Sequence, residues 1–361
     1  MKAVMGAVVG ALIAGAALAA EDKVVHVYNW SDYIDPGLLD QFTRETGIKV
    51  VYDTYDSNET LEAKLLAGRS GYDIVVPSGT FLQRQIAAKL FQPIDRAKLP
   101  NAKHIWHEVD ARLAAYDPGN RYAVNYMWFT TGIAYDVRKA KERLGDQPMD
   151  TWSVVFRPEN LKKFADCGVY MLDSPEDIFS VALRYLNLDP SGRNQGDVSK
   201  AAALIQRIRP YVKKFHSSEY INALANGDIC LAVGWSGDSF QARNRAREAG
   251  SKADIAYVIP REGTLMSLDS IAIPADATHV DEAYALIDFL LRPSVAARNT
   301  VVTNFANGVE ASRPLVPAEI LENRSIYPDE AVMKRLFTVP PPDRALQRVI
   351  TREWTRIKSG R

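Results

Sequence analysis

VVHVYNWSDY (residues 24–33) is the stretch on which the fold turns. Residues 24–28 are mostly apolar, with three valines about His26, the composition of a buried strand. Asn29, Trp30, Ser31, Asp32 and Tyr33 then break that run with polar, turn-forming and aromatic side chains. Leu38, Leu39, Phe42 and Thr46 follow at helical spacing, with Gly47 where a left-handed C-cap belongs. Residues 48–52 read as a second strand, 61–66 as a helix, 72–76 as a third strand ending at Pro77-Ser78-Gly79, and 81–90 as another helix. Strands alternating with helix-length crossovers predict an α/β fold built on a mostly parallel sheet.

The alternation returns downstream. Residues 168–172 read as a strand, 175–186 as a helix and 228–233 as a strand. Gly234-Trp235-Ser236-Gly237-Asp238 follows, and then a polar helix through Arg247. Between the halves, residues 126–135 are apolar, aromatic and β-branched, which suits a strand crossing from one half to the other.

The N-terminus speaks to export. Lys2 precedes an uncharged run over residues 3–18, Ala17-Leu18-Ala19 resembles a cleavage site, and Glu21-Asp22 opens a polar segment. Residues 1–19 are therefore expected to be a cleaved signal peptide, too short for the roughly 20 residues of a bilayer span. The remainder of the 361-residue chain exceeds one ordinary core and predicts two domains. Lys plus Arg number 44, as do Asp plus Glu, so no basic surface marks a nucleic-acid partner. Cys167 and Cys230 fit no zinc ligand set; they are either one disulfide of an exported protein or two buried thiols.

Ligands of parallel α/β sheets bind beyond the carboxyl ends of the strands. That rule selects the loops at Trp30-Ser31-Asp32-Tyr33, Pro77-Ser78-Gly79-Thr80, Asp173-Ser174-Pro175-Glu176-Asp177 and Trp235-Ser236-Gly237-Asp238. A fifth loop is expected at Ser267-Leu268-Asp269-Ser270, ahead of a strand at 271–273. Two of them place a Trp two or three residues before an Asp. An ammonium ion wants both, a carboxylate for a charge-assisted hydrogen bond and an indole face for cation–π attraction. Taken singly, an Asp or Ser after a strand is more often a helix N-cap, a role that suits Asp32 and Ser174, and a Trp near a loop is more often core. The repeated combination carries the cation reading.

Catalysis finds less support. No H-E-x-x-H, G-x-S-x-G, Walker A or G-x-G-x-x-G motif occurs, and Trp235-Ser236-Gly237-Asp238 lacks the second glycine of a nucleophile turn. His26, His104, His107, His216 and His279 show no metal-ligand spacing and read as surface residues. Neither metal nor cofactor is expected.

At these loops the chain resembles the polyamine-binding proteins of bacterial ABC uptake systems, the putrescine-binding type above all. The strings that carry the resemblance are residues 27–34, 215–222, 224–230 and 234–238. It implies a type II periplasmic-binding fold, with two lobes of mostly parallel sheet flanked by helices and joined by two crossovers. The lobes are expected at 20–126 with 247–292 and at 127–246 with 293–361. It implies one end of a cleft at Trp30, Ser31, Asp32, Tyr33 and Ser78, and the other at Asp177, Trp235, Asp238, Asp269 and Phe305. Asp238 and Asp269 would meet ammonium groups while Trp30 and Trp235 flank the alkyl chain, and Cys167 and Cys230 would form a disulfide. The implied function is capture of putrescine or spermidine by a monomeric periplasmic protein that closes on its ligand and hands it to an inner-membrane ABC permease. A membrane receptor for polyamine sensing is the alternative partner. Three positions depart from the resemblance: Asp177 stands where Glu is usual, Ser267 where a ring is usual, and Phe305 where Tyr is frequent. Ser267 implies either a roomier pocket, suited to a longer or bulkier amine, or weaker binding of putrescine.

Overall fold

The computed structural model describes residues 23–360. The expected signal peptide, 1–19, lies outside the described residues. Eleven strands are present among those residues: β1 Val24–Trp30, β2 Lys49–Tyr55, β3 Ile74–Val75, β4 Ala123–Asp136, β5 Val169–Met171, β6 Lys214–Phe215, β7 Leu231–Trp235, β8 Ile255–Val258, β9 Thr264–Ala272, β10 Ala306–Asn307 and β11 Leu336–Phe337. The main path runs β2-β1-β3-β9-β4-β7-β5-β6, with β8 and β10 paired to β4 and β11 to β9.

Local chemistry accounts for the first elements. Asp35 caps the helix Pro36–Thr46 by accepting from the Gly37 N–H, Pro36 sits at its first turn, and Gly47 ends it at φ 72°. Leu38 and Phe42 turn inward from that helix. β1 pairs in parallel with β2 and β3, as the alternation predicts. In the second section β5 pairs in parallel with β6 and β7.

β4 joins the two sections. All of its residues but Tyr135 are buried, which is why the sequence here is mostly apolar, with Asn125, Thr130, Thr131 and Asp136 as its polar members. Its first half, Ala123–Thr130, lies antiparallel to β9, and its second half, Thr131–Asp136, lies between β7 and β8. The sheet is therefore mixed where the sections meet, and parallel away from that seam.

Two expected boundaries move. β8 falls in the segment 247–292 assigned to the first lobe, yet it pairs with the second half of β4. The helix Pro293–Thr303 and β10 fall in 293–361, assigned to the second lobe. Yet Asn299 accepts from the Asp35 N–H at 2.8 Å and donates to the Tyr126 hydroxyl at 2.8 Å, and β10 pairs with Met127 and Trp128. Local composition does not change where the chain passes between sections; strand pairing alone marks it. Cys167 and Cys230 form a disulfide with Cα atoms 5.7 Å apart. Among the described residues no helix is long and apolar enough to cross a membrane.

Candidate functional site

The carboxyl ends of β1, β2, β3 and β7 converge on a cleft of two chambers that share Trp30, Asp56, Ser78, Phe129, Ser217 and Trp235 as walls. The first chamber, of about 430 Å³, also takes Ser31, Tyr33, Tyr55, Asp238, Asp269 and Phe305. The second, of about 440 Å³, takes Glu176, Asp177 and Ser267. Ten of the eleven residues selected from sequence thus lie in one cleft.

Asp32 is the exception. It stands in a turn at φ 56°, and its carboxylate points away from both chambers to meet the Arg245 guanidinium at 2.6 Å. Gln241 donates to its carbonyl at 3.1 Å. It caps no helix either; Asp35 has that place. Its role as a charge partner in the cleft is corrected on this ground. What it does is tie the turn after β1 to the helix Ser236–Glu248 across the cleft.

The aromatic walls form a chain of contacts. Trp30 and Trp235 meet edge to face with ring centroids 5.8 Å apart, and Phe129 lies 5.6 Å from Trp235 and 5.3 Å from Phe305. Tyr33 packs on Phe305 at 4.6 Å, and Tyr55 on Trp30 at 4.7 Å. Trp30 is pinned by an indole N–H bond to the Val76 carbonyl at 2.9 Å, and Tyr55 by a hydroxyl bond to the same oxygen at 2.5 Å. Gly237 makes room for the wall: a Cβ there would stand 2.2 Å from the Phe305 ring.

Three buried carboxylates face this space, each held by neutral donors. Ser78 opens the helix Gly79–Ala87 but does not cap it with its side chain. Its hydroxyl instead donates to Asp269 at 2.6 Å and is held by Asn58 at 3.0 Å. The Tyr33 hydroxyl is buried close by without a hydrogen bond of full geometry. Asp238 accepts from the Tyr220 hydroxyl at 2.8 Å, and that oxygen accepts from the Trp235 N–H at 2.9 Å. Asp177 accepts from Ser174 at 2.6 Å, from the Trp235 indole at 3.3 Å and from Thr131. Ser174 is the N-cap, as expected.

Burial pushes Asp238 and Asp269 up to about 7, and raises Asp177 despite its three donors. Loss of hydration likewise carries the partly exposed Glu176 to about 8, with Asp177 adding like-charge repulsion. Among the described residues, none of Asp177, Asp238 and Asp269 forms an ion pair with Lys, Arg or His. Such a site repels anions and rewards cations.

Sequence reasoning missed Tyr55, Phe129, Ser217 and Ile221. Tyr55 ends β2, so the strand-end rule reaches it once that strand is drawn three residues longer. Phe129 lies mid-strand in β4, opposite Ser267 in β9, and no local signal marks it. The expected loop at 267–270 is itself part of β9, whose Ser267 and Asp269 line the cleft.

This combination of two sheet sections and an intervening polar-aromatic cleft defines a solute-binding protein, and the chain belongs to the bacterial extracellular solute-binding protein family, whose model matches residues 37–320. The putrescine-binding periplasmic protein SpuD of Pseudomonas aeruginosa is 50% identical over 361 residues, covering 100% of this chain and 98% of its own. The putrescine-binding periplasmic protein PotF of Escherichia coli is 49% identical over 364 residues, covering 100% and 98%. Among solved structures, a putative spermidine/putrescine ABC transporter protein from Listeria monocytogenes superposes with a TM-score of 0.83 at 31% identity, covering 94% of this chain and 100% of its own.

Proposed function

We propose that this protein captures a linear polyamine in the periplasm, as a monomer, by closing two lobes, and delivers it to an ABC permease. The single observation that carries the reading is the set of buried carboxylates without a cationic partner along an aromatic wall. Asp238 and Asp269 stand in one chamber, and Asp177 stands in the other beside the partly exposed Glu176. Burying charge is favourable only when the charge is paired and hydrogen-bonded, so a diamine with one ammonium at each end completes both chambers. Trp30 and Trp235 would cover the methylenes between them. The relatives named for putrescine point to the same ligand class. No feature of the cleft favours the sensing role over delivery.

In this reading the first lobe holds β1, β2 and β3 with the helix Pro293–Thr303, the second holds β5, β6, β7 and β8, and β4 and β9 are the crossovers. Ser267 leaves the second chamber wider than a ring would, so spermidine remains within reach as well as putrescine. The test is a thermal-shift and calorimetric screen of putrescine, cadaverine, agmatine, spermidine and spermine. At least one is expected to raise the melting temperature as ligand linkage requires. Silence from all five overturns the proposal.

A further inference from the structure

At the opposite end of β1 from the cleft, three side chains far apart in sequence converge. His26 lies near the start of β1, Asp73 just before β3, and His279 at the N-cap of the helix Val280–Leu290. Their ligand atoms all lie within 4.8 Å of one another. His26 Nδ1 is 3.3 Å from Asp73 Oδ2, and His279 Nδ1 is 3.0 Å from the same oxygen. The ring centroids are 5.4 Å apart.

We propose that His26, Asp73 and His279 form a binding site for a divalent transition-metal ion, Zn²⁺ or Ni²⁺, separate from the cleft and stapling three segments of the first lobe.

Several observations support it. Zinc bonds to imidazole and carboxylate of about 2.0–2.1 Å place neighbouring ligand atoms of a tetrahedron roughly 3.3 Å apart, the spacing seen between both rings and the carboxylate. The carboxylate is held rigidly. Its Oδ1 accepts from the Thr278 and His279 N–H groups at 2.9 and 2.8 Å, and its Oδ2 from the His26 N–H at 2.9 Å. Backbone donors of this kind are the outer support that metal-ligating carboxylates require. The Asp73 side chain is 2% exposed while the two rings are about one third exposed, so an ion has a path in and water can complete its shell. Two imidazoles with one carboxylate suit borderline divalent ions better than Mg²⁺ or Ca²⁺, which take oxygen ligands. Binding needs both rings as the Nε2–H tautomer, with the Nδ1 lone pairs turned to the ion. Asp73 also offsets the positive end of the helix Val280–Leu290. Trp30 lies four positions along β1 from His26, about 13 Å, so ion and polyamine do not compete.

No spacing in the sequence foretold this. His26 and His279 read there as surface residues and no metal was expected; only the pairing of β1 with β3 and the return of the chain at 279 bring the three donors together. The test uses untagged, chelator-stripped protein titrated by calorimetry with ZnCl₂ and, separately, NiCl₂ near pH 7.5. Thermal shift and circular dichroism run alongside. Expected are one ion per chain, a rise in melting temperature reversed by chelator, and weakening of more than tenfold in both His26→Gln and His279→Asn, with polyamine binding unchanged in each. X-ray absorption of the zinc-loaded wild type should show only nitrogen and oxygen ligands. No heat or thermal shift with wild type overturns the proposal, as does wild-type affinity in the two folded variants.

Discussion

Asp269 illustrates how a residue can destabilise a fold and still define its purpose. Its carboxyl is 2% exposed, accepts from Ser78, and is raised to about 7 by loss of hydration. Asp269→Asn keeps an acceptor for Ser78 and removes the buried charge. The ligand-free variant is therefore expected to melt no lower than wild type. Its polyamine affinity is expected to fall by about 2–5 kcal/mol, roughly thirtyfold to several thousandfold, because a buried ammonium loses its partner. Calorimetry showing affinity within threefold of wild type would exclude Asp269 as a charge partner. At this scale much was legible: Trp30, Ser78, Trp235 and Asp238 follow strands and were found by that rule. Asp32 obeyed the same rule and was misassigned, since spacing cannot tell which way a side chain at φ 56° points.

Helices and strands decide how the halves of the cleft meet. The helix Ser236–Glu248 delivers Asp238 from its first turn and Arg245 from its last. Arg245 reaches Asp32 at 2.6 Å and Asn222 at 2.7 Å, while Thr80 donates to Glu176 from the facing helix. The Arg245–Asp32 and Thr80–Glu176 contacts span the cleft. A partly exposed ion pair contributes about 0.2–1 kcal/mol. Arg245→Ala should accordingly weaken polyamine binding by only about 1.4- to 5-fold, expressed as faster dissociation in stopped-flow measurements. A loss beyond about thirtyfold would mean that Arg245 does more than hold the halves together. Most elements could be drawn from local pattern, because capping, periodicity and Gly47 are local properties. The ends of strands were less legible. Residues 72–76 yield only Ile74–Val75 as strand, although the Asp73 N–H still bonds to the His26 carbonyl at 2.8 Å.

For the whole molecule, the raised carboxyls couple ligand, stability and pH. Asp238 and Asp269 hold protons in the folded, ligand-free protein up to about 7, whereas the unfolded chain releases them near 3.8. Between those values the folded state binds more protons, so these groups make stability fall as pH rises from about 4 to 7. Asp73 acts in the opposite sense but lower, since its carboxyl is held below 3.8 by backbone donors that outweigh its burial. A polyamine selects the ionised carboxylates and offsets the loss. The ligand-induced rise in melting temperature is thus expected to be larger at pH 8 than at pH 5.5, and equal shifts at both would count against paired Asp238 and Asp269. The Cys167–Cys230 bridge adds about 4 kcal/mol on the loop-entropy model at either pH.

The amino-acid sequence by itself determined the α/β class, most of the helices, the crossing strand and ten of the residues that line the cleft. Those properties reside in periodicity, capping and the residues that follow strands. Tertiary structure alone decided three things: that Asp32 faces Arg245, that β8 and the helix Pro293–Thr303 change sections, and that His26, Asp73 and His279 meet. Each depends on contacts between residues that are tens to hundreds of positions apart. Local propensity carries no record of such contacts; strand pairing and burial create them.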